Sequence, residues 1–273
     1  MSWVPPGPAW LFCPADRPDR FEKAAARADV VILDLEDGVG ASDKAAAREA
    51  LVVTPLDPAR TVVRVNAYGS ADLSADLEAL KLTNYDLVML PKCESAEQIE
   101  SLAPREVIAL VESPLGAMMV FDSLRADNAI GAVWGAEDLV AALGGNASRF
   151  EDGAYRGVAG HVRSQTLLAA KARGLWALDS VYLDIADLEG LRKEADDAVA
   201  VGFDGKVVIH PTHVPVVRET YAPTDDEIRW AEAVLDAEKS NRGVFAFDGQ
   251  MVDAPVIKQA QRIVSRAGTS SRR

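Results

Sequence analysis

Short apolar runs recur along this chain, and most of them end in a charged or polar residue. VVILDLEDG closes on Glu36 and Asp37, VVRVN on Arg64 and Asn66, LVMLPK on Lys92, and VIALVES on Glu112. GAVWGAED closes on Glu137 and Asp138, and KVVIHP on His210. Their β-branched content predicts strands at about 9–14, 29–36, 60–66, 86–91, 106–112, 129–135, 178–185 and 204–210. Segments with helical spacing lie between most of them, among them Arg20 to Arg27, Ala71 to Leu80 and Asp187 to Val201. Eight such units in alternation predict an α/β fold, a complete (β/α)8 TIM barrel. A doubly wound sheet is the competing fold, but no GxGxxG turn follows the first predicted strand. In a parallel barrel the carboxyl ends of the strands form the active face, so acids and cations gathered there point to an enzyme.

The stretch from Asn146 to Gly174 is longer than the other connections and predicts a helix carrying His161, Arg163 and Lys171. The barrel is expected over residues 1–222, with 223–273 as a C-terminal extension. That extension reads as a helix from Thr224 to Lys239, a loop GVFAFDGQMVDAP, and a closing helix fraying into GTSSRR. Pro255 suits the first turn of the last helix. Elements beyond an eighth strand predict a lid or an oligomer contact.

Composition narrows the classes. A length of 273 residues suits one large domain, and 49% hydrophobic residues supply a substantial core. No stretch is long and uncharged enough to span a bilayer. The amino terminus MSWVPPGPAW has no basic segment followed by an apolar one, so a cytoplasmic protein is expected. Cys13 and Cys93 stand far apart and outside any CxxC, which supports neither a disulfide nor a thiolate metal site. A net charge of −13 argues against nucleic acid or an anionic membrane as partner. It leaves room for a small anionic ligand held by local cations.

Glu112 and Asp138 are the first chemical candidates. They end the predicted fifth and sixth strands, neighbours in a barrel, so both carboxylates enter one mouth. Two carboxylates completed by water suit Mg²⁺, whereas three histidines without HExxH or HxH make a poor zinc set. The plainer alternative is that each caps the helix that follows. Glu36 and Asp37 cannot both point into a strand interior, so one faces the mouth and the other the loop. They would orient a metal-bound water or hold an arginine, or simply favour the next helix dipole. Asp34 shares the face of Glu36 and is expected to be buried and paired.

Arg64, inside VVRVN, is costly to desolvate without paired carboxylates or a bound anion. It is placed to stabilise an oxyanion or bind a substrate carboxylate; a structural ion pair with Glu36 or Asp37 is the alternative. Gly135 and Ala136 leave room for a ligand before a helix start, where backbone N–H groups up to Glu137 favour a carboxylate. Lys92, His210 and Arg17 stand at the mouth ends of the fourth, eighth and first strands, where a solvated rim residue fits equally well.

Taken in order, LFCPADR, VVILDLEDGV, VVRVN, VMLPK, ALVESPLGAMM, VWGAEDL and GFDGKVVIHP resemble the citrate lyase β-subunit-like family of the HpcH/HpaI aldolase superfamily. The match spans nearly the whole chain. It implies a TIM barrel, a bound Mg²⁺, homo-oligomers that are often trimers, and a carbon–carbon lyase acting on 3-hydroxyacyl-CoA. Malyl-CoA or citramalyl-CoA would give acetyl-CoA and a small 2-oxo acid. By motif, Glu112 and Asp138 look like the metal ligands and Arg64 like the substrate-polarising arginine. DGQMVDAP resembles the carboxy-terminal segment that carries an acid/base aspartate, here Asp253, over a neighbouring subunit's site; an N-cap ahead of Pro255 fits the local sequence equally well. His213 stands where the family usually has Gln, Gly38 where alanine is commoner, and Ala15-Asp16 where glycine is usual after Pro14. The resemblance leaves four rivals open: a CoA-independent 2-oxo acid aldolase, an enzyme that couples condensation to thioester hydrolysis, the β component of a citrate-lyase-like complex, and a non-catalytic metabolite sensor. Arg17 and Lys23 are candidates for the phosphates of the carrier.

Overall fold

The computed structural model describes residues 3–241 and 243–270. It divides into two compact units, Met1–Val217 and Arg218–Arg273. In the first, eight parallel strands close into a barrel in sequence order. They are β1 (Ala9–Pro14), β2 (Val30–Asp34), β3 (Thr61–Arg64), β4 (Leu87–Leu90), β5 (Glu106–Val111), β6 (Ala129–Trp134), β7 (Trp176–Asp179) and β8 (Gly205–Val208). The seam is sealed by β1 beside β8, with Trp10 opposite Val207 and Leu11 opposite Val208.

Alternate strand residues point inward, and these are bulky and apolar: Trp10, Ile32, Val62, Met89, Ile108, Val133, Leu178 and Val207 form one buried cluster. The other faces of the strands are covered by helices, so β2 is buried at every position and reads as a continuous apolar run. Those helices are α1 (Phe21–Ala25), α2 (Lys44–Val53), α3 (Ala71–Leu80), α4 (Ala96–Glu100), α5 (Pro114–Ser123), α6 (Ala136–Ala142), α7 (Gly157–Ala172) and α8 (Leu188–Val201). Side chains start several of them: Ser70, Ser95, Ser113 and Asp187 accept backbone N–H bonds from the first turns of α3, α4, α5 and α8. Gly202, in the left-handed region at φ 107, stops α8.

Two expectations need correction. The seventh strand begins at Trp176 and stops at Asp179, well short of the 178–185 run. Gly174 at φ 70 ends the preceding helix, and the chain enters the sheet two residues later. Beyond Asp179 the β-like letters VYL leave the sheet, and Leu183 is half exposed. The long connection 146–174 is helical only from Gly157.

The second unit follows from α9 (His213–Tyr221), which straddles the boundary. It holds α10 (Asp225–Ser240), the antiparallel pair β9 (Phe245–Phe247) and β10 (Gln250–Val252), and α11 (Ala254–Ser270). Thr224 and Glu227 form a reciprocal capping box at the start of α10. The expected loop after α10 is therefore a hairpin. Its turn, Asp248-Gly249, has φ 48 and 76, the left-handed pair that tight hairpins require. The unit has its own core of Ala231, Val234, Val252, Ala260 and Ile263. No helix among the described residues is long and apolar enough to cross a membrane.

Candidate active site

The strand register decides which charges meet at the barrel mouth. Asp34 pairs with Arg64 across β2 and β3. The Arg64 guanidinium grips Asp34 with two teeth, Nε to Oδ1 at 2.7 Å and Nη2 to Oδ2 at 2.6 Å. Asp34 also accepts the backbone N–H groups of Glu36 at 2.9 Å and Gly38 at 2.8 Å, so its acceptor sites are filled. A Cβ at position 38 would sit 2.3 Å from Asp34 Oδ2, so any larger residue there would shift this carboxylate. Arg64 Nη1 reaches Glu36 Oε2 at 3.2 Å, and its plane lies 4.7 Å over the Phe12 ring. Burial pulls the guanidinium toward its neutral form, but Asp34 and then Glu36 reverse this and hold it firmly charged. Both expected functions of position 64, ion pair and anion contact, remain available, because its bonds to Asp34 and Glu36 leave N–H donors over.

Glu36 and Asp37 separate as expected: Glu36 is buried and Asp37 largely exposed. Glu36 Oε2 accepts no hydrogen bond, facing only the Arg64 charge. Burial raises the Glu36 carboxyl above its ordinary range against the lowering pull of Arg64 and Lys92. Glu112 follows β5 directly and is buried. Asp138 lies four residues beyond β6, in the first turn of α6, which Gly135 precedes as N-cap. The expectation that it ends the sixth strand is corrected here: the strand stops at Trp134, and one helical turn carries the carboxylate back to the mouth. A Cβ on Gly135 would sit 2.7 Å from Glu112 Oε2, so this glycine permits the close passage of Glu112. The Gly135 N–H itself bonds to Val111 O at 3.0 Å, and it is not a free donor. Ala136 and Glu137 are the first residues of α6, whose N–H groups have no acceptor within the helix. The Glu137 carboxylate accepts from Ser148 Oγ at 2.6 Å.

Lys92 is the residue the sequence undervalued. Its ammonium lies 2.5 Å from Glu36 Oε1, 3.3 Å from Asp37 Oδ2, 3.6 Å from Asp138 Oδ1 and 4.0 Å from Glu112 Oε1. Its backbone adopts φ 50, a left-handed conformation that costs about 1 kcal/mol or more for a side chain of this kind. Its N–H donates to Glu112 Oε1 at 3.1 Å. Burial works against its charge, while the Glu36 bond and the charges of Glu36, Glu112 and Asp37 outweigh it.

A cavity of about 300 Å³ opens over this cluster, lined by Phe12, Arg64, Glu112, Gly135, Asp138 and the apolar Val181 and Val207. Burial, then the charges of Asp138 and Glu36, push the Glu112 carboxyl up to about 8. Crowded carboxylates of this kind are relieved by a cation. Among the described residues no three His, Cys, Asp or Glu side chains converge to hold an ion by themselves. Two oxygen donors with open positions nevertheless fit Mg²⁺, which keeps part of its water shell. His210 is half-buried and bonds within its own turn to Thr212 at 2.7 Å; Arg17 pairs with Asp19, and Lys23 is exposed in α1. His213 is fully buried against Ile185 O at 3.4 Å, and burial holds its imidazole below the usual range. Neither histidine lines the cavity. Asp253, in the C-terminal unit, caps α11, accepting the Val256 N–H at 3.3 Å.

A closed eight-stranded α/β barrel with an acid-rich cleft at its strand ends is the architecture of a TIM-barrel enzyme. The chain belongs to the HpcH/HpaI aldolase/citrate lyase family, whose model matches residues 9–211. It is 61% identical over 265 residues to a citrate lyase subunit beta-like protein of Mycobacterium tuberculosis, covering 97% of each chain. It is 34% identical to the mitochondrial citramalyl-CoA lyase of Homo sapiens, covering 96% of this chain and 86% of that one. The crystal structure of CitE from M. tuberculosis with magnesium, acetoacetate and coenzyme A superposes with a TM-score of 0.92 at 62% identity, covering 96% and 98% of the two chains. These relatives are carbon–carbon lyases, and this chain is an enzyme of that family.

Proposed function

We propose that this chain is a Mg²⁺-dependent lyase that splits a 3-hydroxyacyl-CoA, such as citramalyl-CoA or malyl-CoA, into acetyl-CoA and a 2-oxo acid. The observation that carries the reading is the pair Glu112 and Asp138, both within 4.0 Å of one Lys92 ammonium and both lining one cavity with Arg64. Glu112 and Asp138 would hold Mg²⁺, which when bound supplies Lewis acidity toward a substrate oxygen. Arg64, kept rigid by Asp34 and Glu36, turns its remaining N–H donors toward the oxygen on which charge accumulates. The Ala136 and Glu137 N–H groups hold the oxo acid's carboxylate, and Gly135 keeps the approach clear.

The substrate hydroxyl gives its proton to a solvent water in the cleft, and its carbon becomes the oxo acid's carbonyl. The electron pair of the broken C–C bond passes to the enolate of acetyl-CoA. Asp253 of the partner subunit, in a homotrimer, protonates that carbon or removes the proton in the condensing direction. Apolar Val133, Val181 and Val207 on the cavity wall suit pyruvate or glyoxylate as the released acid.

The test incubates purified chain and MgCl₂ with citramalyl-CoA and malyl-CoA, reading acetyl-CoA and the oxo acid by chromatography. Cleavage that EDTA and Asp253→Asn both suppress is expected. Retained turnover in EDTA would remove the metal from the account. Activity on pyruvate and an aldehyde without CoA would replace it with the aldolase reading.

A further inference from the structure

The mouth contains a cation that the reaction above does not use. Lys92 Nζ is ringed by Glu36, Asp37, Asp138 and Glu112 at 2.5 to 4.0 Å, the two proposed metal ligands among them. Arg64 takes a smaller part in this work, held to Asp34 by two bonds and touching the ring only at Glu36, 3.2 Å away. The backbone is organised around the arrangement as well. Position 92 is held at φ 50 in the left-handed region, and its N–H is fastened to Glu112 Oε1. Strain of that kind persists only where surrounding contacts over-determine the conformation. A residue with free choice at this turn would be glycine or asparagine. Here a long ammonium side chain is retained and aimed into the carboxylates.

We infer that Lys92 is a tethered counter-ion of the carboxylate cluster that competes with the divalent cation for Glu112 and Asp138. Its ammonium occupies the point that Glu36, Asp37, Glu112 and Asp138 surround. Mg²⁺ then gains the carboxylates and meets a positive charge that it must push aside. Affinity is thereby held down, and only an ion with more charge than the ammonium takes over the position. Lys92 in this role is a positioning residue. The inference rests on the proposed Mg²⁺ ligands and adds what sets their affinity.

Titration calorimetry of MgCl₂ into the EDTA-treated, full-length chain tests it, with wild type, Lys92→Met, Lys92→Gly, Lys92→Arg and Glu112→Ala compared. Removing the competing charge should tighten Mg²⁺ binding by about tenfold or more in Lys92→Met. Lys92→Gly should do the same while also relaxing the left-handed turn, so it reports even where Lys92→Met folds poorly. Lys92→Arg, which keeps the charge, should stay within about threefold of wild type. The rise in melting temperature at saturating Mg²⁺ should be larger in Lys92→Gly than in wild type. Unchanged or weaker Mg²⁺ binding in both neutral variants, with Glu112→Ala still abolishing it, overturns the Lys92 inference alone. A wild-type chain that takes up no Mg²⁺ overturns the proposed function and this inference together.

Discussion

Two clusters of charge lie on this barrel, and they are built on opposite terms. Between the strands and the helices that cover them, Asp179, Glu194 and Asp197 meet Lys206, Arg163 and Arg149, three acids with three cations. Lys206 and Asp179 are completely buried there and 3.0 Å apart. Trp134 Nε1 gives Asp179 a further bond at 2.9 Å, and Lys206 also donates to Ser180 O at 2.6 Å. Burial opposes ionisation of Asp179, yet Lys206 and Arg163 hold its carboxyl below the usual range. At the mouth, Asp34, Glu36, Asp37, Glu112 and Asp138 share two cations, Arg64 and Lys92. The outer cluster is balanced and closed, which is what a buried network needs in order to be tolerated. The mouth is left acidic, with Glu112 pushed up to about 8. Unmatched charge in a cleft marks the place where something else binds.

The contrast can be broken or sharpened by substitution. Glu112→Ala or Asp138→Ala should lower lyase turnover at least about a hundredfold and abolish Mg²⁺ uptake. Melting temperature should barely fall, since the change relieves repulsion; turnover close to wild type would dismiss the pair. Asp179→Ala should behave in reverse. It leaves Lys206 and Arg163 buried without their partner and should cost about 3–5 kcal/mol in urea unfolding. Mg²⁺ affinity of the folded fraction should stay within about threefold. A stable Asp179→Ala protein would show that the outer network is dispensable.

The pH dependence of stability separates the clusters next. Glu112 has its carboxyl raised from 4.5 to about 8. Between those values the folded chain keeps a proton that the unfolded chain has released, so stability falls as pH rises through that window. In EDTA the loss should be on the order of a few kcal/mol, complete above about pH 8. Glu112→Gln should flatten the profile, and saturating Mg²⁺ should remove it by stabilising the ionised carboxylate. An identical slope in the Gln variant would place the effect elsewhere. The smallest effect is expected at Asp197, whose side chain is 58% exposed where it meets Arg163. Asp197→Ala should cost less than about 1 kcal/mol, because water screens the pair. A larger loss would mean the outer cluster is cooperative out to its rim.

Much of this was legible in the chain because it is local. Each strand's apolar run, and Asp34 buried beside Glu36, follow from short-range pattern. The hairpin at Asp248-Gly249 has a local signature as well, an Asp-Gly pair between FAF and QMV, which is a strong turn signal. Reading 178–185 as a strand failed because β-branched letters do not reveal where a strand leaves the sheet. Asp179 stops it there, turned outward to Lys206 and Arg163. Lys92 stays open between a chemical role and a solvated rim residue in the sequence, because nothing local shows which acids surround it.

The amino-acid sequence by itself determined eight alternating units, a core of inward apolar residues, and acids waiting at the strand ends, since all of these depend on periodicity along the chain. Tertiary structure alone decided the pairings. Cross-strand register brought Arg64 to Asp34, and the turn at φ 50 aimed Lys92 into four carboxylates. Two glycines, Gly38 and Gly135, let Asp34 and Glu112 pass close to the backbone. The reason is physical: a charge's energy depends on its distance to other charges and on the water removed around it. Both quantities arise only when distant segments close into one barrel.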